Sequence, residues 1–315
     1  MTLFRLLTEG TRALEEAGAP DARQDAQQLL LAAFQLDMVH FLMSRMQELE
    51  DDERNQGAME LYRRMIERRR RRCPLQQILG SQEFMGLEFY VNRHVLIPRQ
   101  DTETLAELVL ADMTAQDLAG VQAAGRSLLD LCTGSGCIAI SLAVKGAFDR
   151  VTVTDISKEA LKVAERNAAA LLPGWRLCRG DDSSGQEGME DRERAAEFWQ
   201  GDLFAALPED GRRYDVITSN PPYIPTAVIV TLEPEVREHE PMLALDGAED
   251  GLYYYRRIAA DAGRYLKPGG RIYLEIGFDQ GAAVSSLLKA NGYQDVRIYR
   301  DLSGKDRVVV ACLLV

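Results

Sequence analysis

The chain has 315 residues, 46% hydrophobic and 27% charged, with a formal net charge of -12. That length holds two domains with separate cores, and the acidic balance argues against binding by broad contact with nucleic-acid phosphates. No run approaches the roughly 18 apolar residues of a membrane span.

Met1-Thr2-Leu3-Phe4-Arg5 opens an amphipathic helix rather than a signal peptide. Five cysteines without CxxC spacing, beside only three histidines, speak for a reducing cytoplasm and against a metal site. The expectation is a cytoplasmic monomer that engages neither membrane nor nucleic acid directly.

Residues 1 to about 75 read as helices only. Leu3, Leu6, Leu7 and Leu14 recur near helical spacing, and Gly18-Ala19-Pro20 ends that helix. Asp21 is placed to cap a second helix burying Ala26, Leu29, Leu30 and Phe34. A third covers Met38 to Met46. A fourth runs from Asp51-Asp52-Glu53 into Arg68-Arg69-Arg70-Arg71-Arg72, acid first and base last, as the helix dipole favours. The arginine run then reads as a solvated helix end ahead of an RNA or partner contact.

Pro74 stops this helix. Glu83 to Val91 reads as a β-hairpin turning at Met85-Gly86 and continued by His94-Val95-Leu96-Ile97, a connector between domains. Asp101 or Thr102 caps the next helix. From Ser127 strands and helices alternate, the pattern of an α/β doubly wound sheet. Seven strands are expected: 127–131, 151–154, 176–178, 214–219, 271–276, 294–299 and 307–314. The gap Ser303-Gly304-Lys305-Asp306 is too short for a crossover helix, so the last two pair antiparallel. The polar text from Gly180 to Gln200 reads as an exposed loop insertion.

Asp130-Leu131-Cys132-Thr133-Gly134-Ser135-Gly136 closes the first strand of this half and opens a helix, a G-x-G-x-x-A pattern when carried to Ala139. Asp155 closes the second strand about 20 residues later, where a ribose-binding acid belongs. A nucleoside-containing ligand follows. The antiparallel end of the sheet and the missing third glycine favour S-adenosyl-L-methionine over a dinucleotide. Asp130 could hold the amino-acid end of the methionine, or could be a solvated strand end.

Asn220-Pro221-Pro222-Tyr223 follows the strand Tyr214 to Ser219, at the carboxyl end where open α/β sheets bind ligands. The prolines lack N–H groups, so local carbonyls find few backbone donors. Asn220 adds a side-chain acceptor and Tyr223 a flat face. Such a loop suits a conjugated amino nitrogen, held by two neutral acceptors with its lone pair aimed at an electrophile. The acidic run Glu233, Glu235, Glu238, Glu240, Asp246, Glu249 and Asp250 reads as a solvated lip, with a basic docking partner as the lesser alternative.

These residues together resemble the bacterial release-factor glutamine methyltransferases over nearly the whole chain. The resemblance rests on Pro74 to Gly80, Leu96-Ile97-Pro98-Arg99-Gln100-Asp101-Thr102-Glu103, Leu129 to Gly136, Ser219 to Pro225, Glu233 to Arg237, Ala244 to Gly247, Glu249 to Leu252 and Leu266 to Gly270. It implies a Rossmann-like class I methyltransferase: a helical substrate-docking domain at 1–80, a hairpin connector at 81–98 and the S-adenosylmethionine-dependent domain at 99–315. The implied reaction methylates the side-chain amide nitrogen of the glutamine in the Gly-Gly-Gln motif of class I peptide chain release factors.

By the same resemblance Cys132, Thr133, Gly134, Ser135 and Gly136 line the methionine moiety, Asp155 binds ribose, and Asp202-Leu203 belongs to the adenine side. Asn220 meets cofactor and glutamine, with Pro221, Pro222 and Tyr223 completing the acceptor pocket. The sequence departs from the family pattern at Cys132, where glycine is common, at Gln100-Asp101 and at Leu203, where some members carry an aromatic. Glutamine methylation of a ribosomal protein and N6-adenine DNA methylation are the competing readings.

Overall fold

The Thr2 hydroxyl accepts the Arg5 N–H and starts α1 (Leu3–Glu16), whose leucines at 3, 6, 7 and 14 are buried. This is seen in a computed structural model that describes residues 1–118, 125–180 and 194–313. The chain forms two units, Met1–Ser81 with Glu233–His239, and Gln82–Leu232 with Glu240–Val315.

The first unit packs α1, α2 (Ala22–Phe34), α3 (Met38–Ser44), α4 (Glu53–Arg70) and α5 (Leu75–Leu79) around Leu14, Leu29, Leu30 and Phe41. Asp37 and Asp52 cap α3 and α4 through the N–H groups of His40 and Asn55. Asp21, expected to cap α2, makes no such bond.

Arg69 overturns the reading of the arginine run as a solvated end. It is 5% exposed; Nε donates to Asp25 Oδ2 at 2.7 Å and Nη1 to Glu235 Oε1 at 2.9 Å. Arg72 clamps both oxygens of Glu235 at 2.6 Å. Arg68, Arg70 and Arg71 keep to the surface, the last two paired with Glu67. The reason is geometric: consecutive helical residues advance about 100° each, so a run of arginines cannot keep to one face. The inward one needs carboxylate partners because an unpaired buried charge is costly.

The second unit opens with β1 (Ser81–Phe84) and β2 (Leu87–Tyr90), joined through Met85 and Gly86 at φ 53° and 72°. Two left-handed residues make the turn whose twist matches the strands. His94 to Ile97 form no strand. Asn92 draws the chain into a local turn instead, its side chain accepting the His94 N–H and its carbonyl the Val95 N–H. The next helix, α6 (Gln100–Leu118), already includes Asp101 and Thr102, so neither is its cap.

The chain continues through β3 (Arg126–Leu131), α7 (Cys137–Lys145), β4 (Phe148–Asp155), α8 (Lys158–Leu171), β5 (Arg176–Arg179), β6 (Ala195–Gln200) and β7 (Tyr214–Ser219). After these come α9 (Thr226–Ile229), α10 (Pro234–His239), α11 (Tyr253–Asp261), β8 (Leu266–Glu275), α12 (Gly281–Ala290), β9 (Gln294–Arg300) and β10 (Asp306–Cys312). The sheet order is β5-β6-β4-β3-β7-β8-β10-β9, with β10 antiparallel to both neighbours and the remaining pairs parallel.

Among the described residues the sheet therefore has eight strands, not seven. The extra one is β6, in the stretch expected to be loop: Ala195, Ala196 and Phe198 are buried between β4 and β5. A short apolar run behind a charged segment carries little local signal. The rest of the expected insertion, 181–193, lies outside the described residues.

Alternation along β3 sets the two faces of the sheet. Leu128 packs with Leu105, Ile138 and Leu142, and Leu129 and Leu131 with Tyr255, Ile258, Val284 and Leu288.

Candidate active site

The glycine loop between β3 and α7 bends back on β4. The Thr133 N–H donates to the Thr154 carbonyl at 3.0 Å and the Gly134 N–H to Asp155 Oδ2 at 2.9 Å. Asp155 Oδ1 takes the Ser157 N–H at 2.8 Å. Burial raises the Asp155 pKa against these two bonds. Cys132 stands at φ 57°, a conformation glycine adopts without steric cost. At Gly136, φ 79°, a side chain is strained: a Cβ would come within 2.8 Å of Ile140 Cδ1 and 3.2 Å of Ala164 Cβ. A Cβ on Gly134 would meet nothing within 4 Å.

One pocket of the second unit is lined by Cys132, Thr133, Gly134, Ser135, Asp155, Asp202, Leu203, Asn220 and Pro222 among the residues singled out by sequence. Gly136, Asp130, Pro221 and Tyr223 are not on its wall. Asp130 is 1% exposed, so it is no solvated strand end. Its two carboxyl oxygens accept the hydroxyls of Thr218 at 2.8 Å and Thr133 at 2.7 Å. Burial pushes its pKa up to about 7 against those bonds.

Asp202 is held by Arg257 at 3.0 and 2.8 Å, and Leu203 is buried at φ 53°. The Asn220 amide Nδ2 donates to Thr102 Oγ1 at 3.4 Å, which leaves Oδ1 as its acceptor. Pro221 and Pro222 are buried. Tyr223 turns its hydroxyl to Glu275 Oε1 at 3.5 Å, and its carbonyl takes Gln280 Nε2 at 3.0 Å.

Sequence reasoning missed much of the opposite wall. His94, Leu96, Arg99, Thr102, Leu243 and Tyr254 also line the pocket. The signal was present in Leu96 to Glu103, read only as part of a connector. The acidic stretch is likewise no uniform solvated lip. The Glu240 carboxylate is 1% exposed and both its oxygens lie 2.7 Å from Arg99 Nη2, while Asp250 pairs with Arg256 at the surface.

Among the described residues no helix is long and apolar enough to cross a membrane. Residues 5–80 match the model of the PrmC N-terminal domain, and residues 106–187 that of the methyltransferase small domain. The chain is 38% identical over 307 residues to the release factor glutamine methyltransferase of Geobacter sulfurreducens, covering 97% of this chain and 95% of that one. It is 39% identical over 300 residues to that of Cereibacter sphaeroides, covering 95% and 94%. The solved hMettl16 catalytic domain shares the fold, at 17% identity and a TM-score of 0.50 over 76% of this chain and 79% of that one. Identity of that extent, running through both the helical unit and the sheet, makes the chain a member of the release factor glutamine methyltransferase family.

Proposed function

We propose that this protein transfers a methyl group from S-adenosyl-L-methionine to the side-chain amide nitrogen of the glutamine in the Gly-Gly-Gln motif of class I peptide chain release factors, in the cytoplasm. The observation that carries the reading is that Asn220 and Pro222 share one pocket with Gly134 and Asp155. Acceptor loop and nucleoside loop thus open on the same space. Two further features support the cofactor: the clear volume over Gly134, and Thr154 Oγ1, a buried hydroxyl on the pocket wall without a hydrogen-bond partner among the described residues.

Cys132 to Ser135 hold the methionine end, Asp155 the ribose hydroxyls, and Leu203 with Asp202 the adenine side. Asp130 acts from behind the loop, fixing the Thr133 hydroxyl. When bound, S-adenosylmethionine supplies a methyl on a sulfonium, already a strong electrophile. The protein's part is then position. Asn220 Oδ1 accepts one amide hydrogen of the substrate glutamine and the carbonyl of Pro221, a buried residue between the wall residues Asn220 and Pro222, accepts the other, turning the lone pair toward the methyl. Such pre-set geometry is worth several kcal/mol, roughly, in intramolecular comparisons. The nitrogen becomes acidic once methylated and releases its proton to water, so the scheme needs no side-chain base. Residues 1–80 serve as the substrate-docking domain.

The test is incubation with labelled S-adenosylmethionine and, in parallel, release factor, ribosomal protein and DNA. Label on the release factor that disappears on Gln→Ala in its Gly-Gly-Gln motif is the expected result. Label on DNA or ribosomal protein alone overturns it.

A further inference from the structure

The acceptor loop is anchored at both ends by residues outside it. At one end Asn220 Nδ2 donates to the Thr102 hydroxyl oxygen. At the other the Tyr223 hydroxyl donates to Glu275 Oε1. Thr102 lies in the first turn of α6 and Glu275 at the end of β8, 3% and 1% exposed. Neither is explained by packing alone. Glu275 Oε2 is buried without a hydrogen-bond partner among the described residues, and burial lifts the Glu275 pKa to about 7. A carboxyl so placed is tolerated where it holds something in position.

We propose that Thr102 and Glu275 are positioning residues that set the acceptor loop, Thr102 by occupying the amide N–H of Asn220 so that Oδ1 alone faces the substrate nitrogen, and Glu275 by accepting the Tyr223 hydroxyl at the loop's other end. An asparagine side chain is nearly symmetric in shape, and its two ends differ only in whether they donate or accept. A donor turned toward a glutamine N–H would repel it. A hydroxyl that accepts from Nδ2 selects the productive orientation. The inference rests on the proposed role of Asn220 as amide acceptor.

Thr102→Val keeps the shape and removes the hydroxyl; Thr102→Ser restores the hydroxyl. In the full chain with a release factor as substrate, Thr102→Val is expected to lower kcat roughly 10- to 100-fold, the scale of a small misplacement of reacting groups. KM for the release factor and S-adenosylmethionine affinity by calorimetry should stay within about twofold, and Thr102→Ser should recover most of kcat. Glu275→Gln is expected to lower kcat less, because its amide oxygen can still accept the Tyr223 hydroxyl.

A readout independent of turnover is the side-chain amide resonance of Asn220, assigned by its loss in Asn220→Asp. It should move in Thr102→Val and return in Thr102→Ser. An unmoved resonance, or equal kcat loss in both Thr102 variants, overturns the positioning role. If wild-type protein leaves the release factor unlabelled while the resonance behaves as expected, the substrate assignment fails and the positioning role stands.

Discussion

Arg69 and Glu235 are 166 residues apart in sequence and meet at 2.9 Å, with Asp25 closing the other side of the guanidinium at 2.7 Å. Arg69 and Asp25 side chains are 6% and 8% exposed, so this is an interior charge cluster. Its energetics differ from those of a surface pair. Removing one partner strands the others in a poorly solvating environment. Arg69→Ala is therefore expected to destabilise the helical unit by about 3–5 kcal/mol. Urea unfolding followed by circular dichroism checks it, and a loss below ~1 kcal/mol, the scale of an exposed pair, would contradict the buried reading.

Glu235 adds a pH signature to the same cluster. Burial opposes its ionisation, but the bonds from Arg72 and Arg69 prevail and hold its pKa at about 2, below the ordinary 4.5. A folded value below the unfolded one means that the native state binds the proton less tightly. The stabilisation is complete above pH 4.5 and is lost as pH falls toward 2. Wild type should lose stability through that window more steeply than Glu235→Gln. Parallel acid titrations of the two proteins would remove the assignment.

Asp130 runs the other way. Burial carries its pKa from 3.8 to about 7, so the folded state holds the proton more tightly than the unfolded one. Its ionisation costs stability progressively as pH rises from 3.8 to about 7, and the cost is constant above. Measured from pH 5 to pH 8 without cofactor, the urea midpoint of wild type should fall relative to Asp130→Asn. A gap between the two that does not change with pH excludes a titrating Asp130.

Asn220→Ala removes the proposed side-chain acceptor from a partly buried site. Turnover should fall roughly 100- to 1,000-fold, the usual loss when a pre-set hydrogen-bonding group at a reacting centre is deleted. Affinity for S-adenosylmethionine should hold within about threefold, since Cys132 to Ser135 and Asp155 are untouched. Near-normal turnover would falsify the acceptor role.

Gly136→Ala tests the loop itself. The substitution combines φ 79° with contacts of 2.8 Å to Ile140 Cδ1 and 3.2 Å to Ala164 Cβ. Left-handed strain alone costs roughly 1–2 kcal/mol, and the side-chain clash adds to it. Gly134→Ala, at φ 56°, carries the same left-handed strain but meets no such neighbour in the protein, so any loss of cofactor affinity beyond that strain comes from the ligand side. Comparing melting temperature with cofactor affinity separates the two: Gly136→Ala should lower both, whereas Gly134→Ala should lower affinity more than stability.

What could be read from the sequence was what neighbouring residues decide. The helices of the first unit, the turn at Met85-Gly86, the glycine loop ending β3 and the antiparallel β9–β10 pair follow from periodicity, left-handed turns and a gap too short for a helix. So did the resemblance that led to the family, because its motifs are contiguous. Tertiary structure decided everything that depends on a distant partner. Ala195 to Gln200 became a strand because β4 and β5 offered a slot between them. Arg69 turned inward because Asp25 and Glu235 neutralise it.

The tetrapeptide Asn220 to Tyr223 shows the division within one motif. Its prolines and its place at a strand's end were legible from local chemistry. That Asn220 is held by Thr102, and Tyr223 by Glu275, was not, since those partners lie 118 and 52 residues away. A hydrogen bond across such a span forms only once the sheet has brought α6 and β8 alongside β7, and that assembly is carried by buried side chains throughout the unit rather than by the motif itself.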